Sequence, residues 1–387
     1  MRYLFLLFIF FLTSVFRVSA QETGQCGIRI SLLTASPGEE LYATFGHSAL
    51  RVTDSVSNTD IVYNYGTFNF DEPGFYTKFI RGKLLYYLSR EYFESFKQSY
   101  QQENRSLTEQ VLNFNCDEKQ EVLRLLDQNL APQNLHYKYD FLFDNCTTRL
   151  RDLVEKAGDG KVHFTPVLNS EKTFRNLIHQ YLDNNDKKWS KLGIDILLGS
   201  RTDAIMQPRE VMFLPDYLMY AFDKATIEDR PLVNDKTSLY AISLPGTKSS
   251  NLTHPFFVFL CFFIVMGILS LSKNRRIVLF LRSFDSMLFF ITGLLGLLLV
   301  FMWLGTDHVM CSNNYNLLWA WPLHAIAAFF MQNEKKWVKT YFLVYSICTL
   351  ILVGFWFALP QQMNTALLPI AGVLIMRSLV FVLRKNI

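Results

Sequence analysis

Residues 255–272 read PFFVFLCFFIVMGILSLS, an apolar run of 18 residues without a charged side chain. A helix of this length and composition can cross the hydrocarbon core of a bilayer. Only 19% of the 387 residues are charged, whereas soluble globular chains carry about 25%. The sequence therefore predicts a membrane domain over residues 255–387, with five spans near 255–272, 284–304, 314–331, 341–359 and 364–382.

The loops between these spans predict their orientation. Residues 255–387 contain ten Lys and Arg against three Asp and Glu, and the basic residues concentrate in the first loop, the third loop and the C-terminus. The second loop, 305–313, and the fourth loop, around 360–362, contain neither Lys nor Arg. Because basic loops stay in the cytoplasm, we expect the C-terminus inside and residues 21–254 outside. The rest of the chain is mildly acidic, so no basic surface for nucleic acid is expected.

The N-terminus agrees with this orientation. Residues 1–20 combine a basic Arg2, an apolar run over Leu4–Leu12 and the small-residue site VSA at 18–20. This pattern is typical of a cleaved secretory signal peptide, and an uncleaved anchor is the alternative. The expected organisation is a signal peptide over 1–20, an exported domain over 21–225, a connector over 226–254 and the membrane domain over 255–387.

Periodicity predicts one α+β domain in the exported region. Alternating apolar residues predict strands over Ile28–Leu33, His47–Val52 and Ile61–Tyr65. The Ser-, Thr- and Asn-rich stretch 226–252 predicts an extended connector. Helical patterns cover Phe75–Tyr100, Cys116–Leu130, Asn145–Ala157 and Thr173–Leu182.

The cysteine count of the exported region points to an unusual thiol. Three of the six cysteines, Cys26, Cys116 and Cys146, fall in this region. An odd number in an exported domain means that at least one thiol pairs elsewhere or stays unbridged. We expect a bridge between Cys26 and Cys116 and an unbridged Cys146.

The surroundings of Cys146 favour a nucleophile. Asp144 or Asn145 can cap the N-terminus of the following helix. Cys146 then lies in the first turn, where backbone N–H groups and the helix dipole stabilise a thiolate. The apolar stripe through Leu150 and Leu153 places Cys146 on the buried face of that helix. A structural half-cystine is the alternative.

A nucleophilic thiol needs a base, and His47 is the best placed histidine. It follows Gly46 at the start of a predicted strand, which is a rigid mount for a base. Asn64 on the neighbouring strand can accept the imidazole N–H and fix the tautomer, as Asn does in thiol triads; an amide satisfied by backbone is the alternative. The remaining histidines of the region lie in loop-like or polar contexts or beside the first span: His136, His163, His179 and His254.

These blocks resemble a known family. FGHSALR at 45–51, VYNYGTF at 62–68, FIRGKL at 79–84 and YDFLFDNC at 139–146 are similar to the periplasmic domain of Lnb-type lipoprotein N-acyltransferases of Bacteroides-type bacteria. The segment LGIDILLGSRTD at 192–203 and the five-span tail are similar too. The resemblance implies an inner-membrane enzyme with His47 as base and Cys146 as nucleophile. The implied reaction moves an acyl chain from a membrane phospholipid to the lipidated N-terminus of a lipoprotein.

A weaker resemblance concerns the order of these residues. A His on one strand, a polar residue on the next and Asn-Cys at a helix start are similar to circularly permuted papain-like enzymes, which include lecithin–retinol-acyltransferase-like thiol acyltransferases. In that fold the His precedes the Cys. The resemblance implies a papain-like thiol-enzyme domain followed by the five-helix transmembrane domain.

Substrate contacts and rival functions complete the expectations. Arg81, Arg201 and Asp203 are candidates for substrate binding, with structural ion pairs or a solvated charged face as the alternative. No His, Cys or carboxylate cluster has metal-ligand spacing, so we expect neither metal nor cofactor. The rivals are a papain-like hydrolase of peptidoglycan or lipid esters, and a non-catalytic envelope factor. The five predicted spans disfavour a cell-wall peptidase. A disulfide at Cys146 would exclude both the acyltransferase and the hydrolase.

Overall fold

The computed structural model describes residues 26–242, 253–333 and 335–384, so the expected signal peptide lies outside the described residues. We call residues 26–242 the sheet domain and residues 253–384 the helical domain. The main sheet contains β1 (Ile28–Ala35), β2 (His47–Asp54), β3 (Thr59–Thr67), β4 (Leu85–Tyr92), β5 (Leu107–Leu112), β6 (His136–Lys138) and β10 (Val233–Tyr240). A second, small sheet contains β7 (Val162–His163), β8 (Thr226–Ile227) and β9 (Arg230–Pro231).

The main sheet is antiparallel throughout, with the strand order β10-β5-β1-β2-β3-β4-β6. Seven helices accompany it. They are α1 (Phe75–Ile80), α2 (Phe93–Gln102), α3 (Cys116–Leu130), α4 (Cys146–Ala157), α5 (Phe174–Asn184), α6 (Lys188–Leu197) and α7 (Pro215–Lys224). The predicted strands within β1, β2 and β3 and the predicted helices at α3, α4 and α5 are confirmed.

Both faces of the central strands are covered by helices. Side chains on one face, such as Leu32 and Leu50, pack in a core with α3, α4 and α7. Side chains on the other face, such as Leu33 and Val62, pack against Phe93 of α2. Because successive residues of a strand point to opposite faces, this double burial explains why six consecutive residues of β1, Ile30–Ala35, are buried.

The expected helix over Phe75–Tyr100 is wrong. The segment contains the short helix α1, the strand β4 and the helix α2. Gly82 follows α1 with a φ of 65°, in the left-handed region that favours glycine. The following strand pairs with β3, where Ile61 lies opposite Tyr92. This pairing is non-local, so the local pattern of aromatic residues did not reveal it.

The described residues 226–242 differ from the expected connector, which was placed over 226–254. Residues up to Tyr240 form β8, β9 and β10, and β10 pairs with β5 at the edge of the main sheet. Its exposed, polar residues are typical of an edge strand. The sheet domain therefore extends beyond residue 225.

The helical domain contains α8 (Pro255–Ser270), α9 (Arg275–Leu304), α10 (His324–Phe330), α11 (Lys336–Gly354) and α12 (Leu367–Leu383). Among the described residues, α9 and α11 are long and apolar enough to cross a membrane, and α8 and α12 are shorter apolar helices. The expected third span, 314–331, is not one continuous helix. Pro322 separates a short 3-10 turn, Tyr315–Leu318, from α10, because proline removes a backbone donor and breaks a helix.

The two domains are joined by a polar seam beside α6. Asn364 Nδ2 donates to Asp195 Oδ2 at 2.8 Å, and Asn316 Nδ2 donates to the Asp195 carbonyl at 3.0 Å. The backbone continues the contact, since Gly199 N–H donates to Met310 O at 2.8 Å. Segments on both sides of α10–α11, residues 310–316 and 361–364, therefore lie against the sheet domain.

Candidate active site

Cys146 is the first residue of α4, and Asn145 holds this helix end in place. The Asn145 Oδ1 accepts from the N–H groups of Thr147 at 2.9 Å and Thr148 at 2.8 Å. The Asn145 N–H in turn donates to Thr148 Oγ1 at 2.8 Å. This reciprocal cap satisfies the end of the helix. The Asn145 amide also donates to the Phe213 carbonyl at 2.8 Å, which anchors the helix start to a neighbouring segment.

His47 begins β2 at the same end of the sheet. Its predecessor, Gly46, has a φ of 81°, and a Cβ there would lie 2.8 Å from the Ala35 carbonyl oxygen, so the backbone approach requires glycine. The His47 Nε2 lies 2.7 Å from Asn64 Oδ1. A carboxamide oxygen only accepts, so Nε2 carries the proton and Nδ1 is left as the basic nitrogen. The structure thus brings the predicted trio Cys146, His47 and Asn64 together.

The neighbours of Cys146 lower the pKa of its thiol. Burial by itself raises its pKa, but the His47 ring, the Ser48 backbone N–H and the Thr147 hydroxyl lower the pKa to about 7. For His47, burial lowers the pKa, but Cys146 and Asn64 outweigh it and raise the pKa above its usual value. Both directions favour a thiolate beside an imidazolium, the charge state of a reactive cysteine.

A fourth residue, Glu91 on β4, extends this chain of contacts. Its half-buried carboxylate hydrogen-bonds the Asn64 side chain, and a carboxylate accepts, so the Asn64 amide nitrogen donates. Burial raises the pKa of Glu91, whereas Asn64 and His47 act to lower it, and the net shift is upward. Sequence reasoning missed Glu91 because it placed this segment in a helix. If residues 85–92 had been recognised as a strand, Glu91 would have been placed on the strand next to Asn64.

A cavity of about 470 Å³ opens beside Cys146 and His47. Its walls are mostly apolar and aromatic, the usual lining of a site for an apolar ligand. The sheet domain contributes Leu41, Phe45, Phe68, Phe141, Leu142 and Phe213 among others. The helical domain contributes the segment Asp307–Cys311, which we call the roof segment. The cavity is therefore completed only where the two domains meet.

The three predicted substrate residues are not among the residues that line the cavity. Arg81 is exposed at the cavity rim, next to Gly82, which lines it. Arg201 is exposed and outside the lining residues. Asp203 forms an ion pair with the fully buried Arg175 at 2.9 Å, a contact within the sheet domain.

The other thiols have different surroundings. The Cys26 and Cys116 side chains are hydrogen-bonding neighbours. Cys311 is buried in the roof segment, where burial raises its pKa to about 11. Within the described ranges, no group of three or more His, Cys, Asp or Glu side chains could hold a metal ion.

The fold and the site define a membrane-associated α/β protein with a Cys–His pair beside an apolar cavity. Family comparisons agree with this class: the Lnb N-terminal periplasmic domain matches residues 26–180, and the Lnb transmembrane domain matches residues 247–386. The chain belongs to the Lnb family. No curated protein and no solved structure gives a significant match. Membership indicates an inner-membrane protein of lipoprotein maturation whose sheet domain is periplasmic.

Proposed function

We propose that this chain is a lipoprotein N-acyltransferase. It moves an acyl chain from a membrane phospholipid, through a thioester at Cys146, to the α-amine of the lipidated N-terminal cysteine of a lipoprotein. One observation carries the proposal: the activated Cys146–His47 pair opens into an apolar cavity that the helical domain roofs. An apolar cavity beside a nucleophile suits an acyl chain, and a membrane domain keeps both lipid substrates at high effective concentration.

The first half-reaction acylates the thiol. The His47 Nδ1 holds the proton taken from the thiol, and the Cys146 sulfur attacks the ester carbonyl of the phospholipid as a thiolate. The carbon–sulfur bond forms, the ester carbon–oxygen bond breaks, and the proton on His47 passes to the departing alkoxide of the lysophospholipid. Because Asn145 already uses the N–H groups of Thr147 and Thr148, the Cys146 N–H is the first-turn donor proposed to stabilise the oxyanion.

The second half-reaction transfers the acyl chain. The α-amine of the lipoprotein attacks the thioester carbonyl, the carbon–nitrogen bond forms and the carbon–sulfur bond breaks. His47 accepts the proton lost by the amine, and the thiolate–imidazolium pair is restored. Asn64 and Glu91 hold the ring in the tautomer that both steps need. In this scheme the sheet domain is a permuted papain-like fold with the His before the Cys.

The proposed topology has five spans, a periplasmic catalytic domain after a cleaved signal peptide over 1–20, and a cytoplasmic C-terminus. Two segments of the helical domain, 310–316 and 361–364, contact the sheet domain. Lys339 and Arg384 meet at the other ends of α11 and α12, where Lys339 Nζ donates to the Arg384 carbonyl at 3.0 Å. The basic residues thus lie on the side away from the sheet domain, which supports a cytoplasmic C-terminus.

Mass spectrometry of lipoprotein N-terminal peptides tests the function. The full chain, Cys146→Ala and the matched control Cys348→Ala, an exposed cysteine of α11, are expressed in a host lacking its own N-acylation. We expect N-acylated peptides with the wild type and Cys348→Ala and none with Cys146→Ala. Acylation that survives Cys146→Ala would contradict the thioester. Absence of acylation with well-expressed wild type would favour the hydrolase, with water as acceptor.

A further inference from the structure

The helix α1 presents large apolar side chains that the described chain leaves about half or more exposed. Its inner residue, Phe75, packs on Phe68 of the cavity wall with ring centroids 5.8 Å apart. Outward, Tyr76 is 76% exposed, Phe79 is 51% exposed and Ile80 is 48% exposed. Three large apolar side chains on a six-residue helix form an exposed patch of the kind that marks a protein or membrane contact. We call Tyr76, Phe79 and Ile80 the α1 patch.

The α1 patch adjoins the mouth of the cavity. Phe79 and Gly82 line the cavity from the sheet domain, and Asp307 and His308 line it from the roof segment. A lipid that passes over α1 therefore meets the opening next to Cys146 without crossing the body of the protein.

Hydrogen bonds to backbone carbonyls of residues 79–81 fix α1 to the end of a predicted span. The Asp307 N–H donates to the Arg81 carbonyl at 3.0 Å. The His308 Nε2 donates to the carbonyls of Phe79 at 3.2 Å and Ile80 at 3.1 Å. A Cβ on Gly82 would lie 3.3 Å from the His308 ring, so the two segments are in close contact. The patch is thus held three to four residues beyond Leu304, where α9 ends.

The length of α9 sets the depth of this contact. A helix of 30 residues is about 45 Å long, which exceeds the hydrocarbon core of about 30 Å. Its end at Leu304 therefore reaches the headgroup region, and Trp303 beside it is a residue typical of that interface. The α1 patch, bonded to the next few residues, lies at the same level.

The charges around the patch suit anionic headgroups. Lys138 pairs with Asp307 at 2.5 Å, and Lys83 and Arg81 lie close enough to contribute to the lowered pKa of Asp307. Three cations thus surround one carboxylate at the cavity rim. Basic residues beside an anionic membrane surface strengthen attachment.

We propose that the α1 patch is seated in the periplasmic leaflet of the bilayer and forms the threshold over which lipid substrates enter the cavity laterally. The occupant is the lipid surface itself, because the patch continues the end of α9 and combines aromatic side chains with cations. This inference rests on the proposed function for its purpose, but the seating of the patch is independent of any transfer reaction.

Photo-crosslinking of the full chain tests the seating. Benzoylphenylalanine replaces Tyr76, and the protein is reconstituted in vesicles of phosphatidylethanolamine and phosphatidylglycerol that contain a radiolabelled phospholipid. The matched control replaces Tyr92, which is 71% exposed and lies at the far end of β4 from α1. We expect at least tenfold more labelled protein–lipid adduct at position 76 than at position 92.

Two results would overturn the seating. Equal lipid labelling at the two positions would show that the patch has no special contact with the bilayer. An adduct at twice the chain mass, or with a lipoprotein, would assign the patch to a protein partner. Neither readout needs acyl transfer, so a failure of the proposed function leaves this test intact.

A functional arm separates lipid access from chemistry. Tyr76→Glu combined with Ile80→Glu changes side chains that are outside the cavity lining, and Tyr92→Glu is the control. We expect N-acylation in vesicles to fall at least tenfold for the double variant, while acylation of Cys146 by soluble p-nitrophenyl butyrate is retained. An equal loss of activity with the vesicle substrates and with p-nitrophenyl butyrate, or no loss of N-acylation in vesicles, would contradict lipid entry over the α1 patch.

Discussion

Two buried cysteines line the same cavity from different domains, and their surroundings differ. Cys146 begins α4 in the sheet domain, where His47, Ser48 and Thr147 lower its pKa to about 7 against the effect of burial. Cys311 lies in the roof segment, where burial alone raises its pKa to about 11. Burial in an apolar cavity therefore suppresses a thiolate, and only a built set of charges and donors produces one.

The largest expected effect comes from removing the base that distinguishes the two thiols. His47→Gln keeps a side-chain amide beside Asn64 but removes the titratable ring. We expect the rate of thiol acylation to fall about 10²–10⁴-fold, the usual worth of general acid–base catalysis. We also expect the alkylation midpoint of Cys146 to rise above about 7.

Single-turnover acylation and the pH profile of iodoacetamide labelling are the measurements for this variant. His163→Gln, an exposed histidine of β7, is the control and is expected to match the wild type. An unchanged alkylation midpoint in His47→Gln would contradict the role of His47.

The difference in pKa between Cys146 and Cys311 can also be tested in the wild-type protein, by measuring the reactivity of the two thiols at a chosen pH. A thiolate forms as pH rises through the pKa, so Cys146 is mostly ionised at pH 8 and Cys311 is not. The ratio of their thiolate fractions is about 10³ at that pH. We expect a similar ratio of alkylation rates in peptides mapped by mass spectrometry. Comparable alkylation rates of Cys146 and Cys311 at pH 8 would contradict the difference in their pKa values.

A smaller effect is expected at Glu91, which acts through Asn64. Glu91→Gln removes a carboxylate whose own pKa is lowered by the charge of His47, so the variant takes an opposite charge away from the imidazolium. We expect about a tenfold fall in turnover, and the basic limb of the pH–rate profile should move to lower pH because the pKa of His47 falls. Glu91→Asp should restore part of both effects, and Glu94→Gln, at an exposed position of α2, is the control. A loss of turnover with an unchanged pH profile would mean a structural role only.

The smallest expected effect concerns Cys26 and Cys116, which we expect to influence the stability of the fold and not the reaction. The Cys26 and Cys116 side chains are hydrogen-bonding neighbours, and the periplasm permits disulfides. We expect mass mapping without reductant to find these two cysteines bridged and Cys146 unbridged. Replacing both by Ser should cost about 2–4 kcal/mol of stability, measured as a lower melting temperature, with the alkylation of Cys146 unchanged. A bridge that includes Cys146 would exclude the nucleophile.

Part of the fold was readable because it depends on local patterns. The strands around His47 and Asn64 alternate, and Asn145 is a strong helix cap directly before Cys146. These two features predicted that Cys146, His47 and Asn64 lie close together, as they do in the structure, since cap and strand are decided within a few residues. The strand β4 was predicted as helix, because its partner β3 is a non-local neighbour.

The site could be predicted only in part, because several of its contacts join residues that are far apart in the chain. Glu91 reaches Asn64 across two paired strands, and the roof segment reaches the cavity from more than 150 residues beyond Cys146. Asp203 was expected near substrate, but its partner is the buried Arg175. None of these contacts leaves a periodic trace in the sequence.

The sequence by itself determined the division into an exported α+β part and an apolar part, and it determined which thiol and which histidine stand out. Composition, helix caps and strand alternation are local properties, so they survive without a structure. The tertiary structure alone decided the low pKa of Cys146, the contact between Glu91 and Asn64, and the closure of the cavity by the roof segment. Electrostatic coupling and burial depend on distances between residues far apart in the chain, and only folding sets those distances.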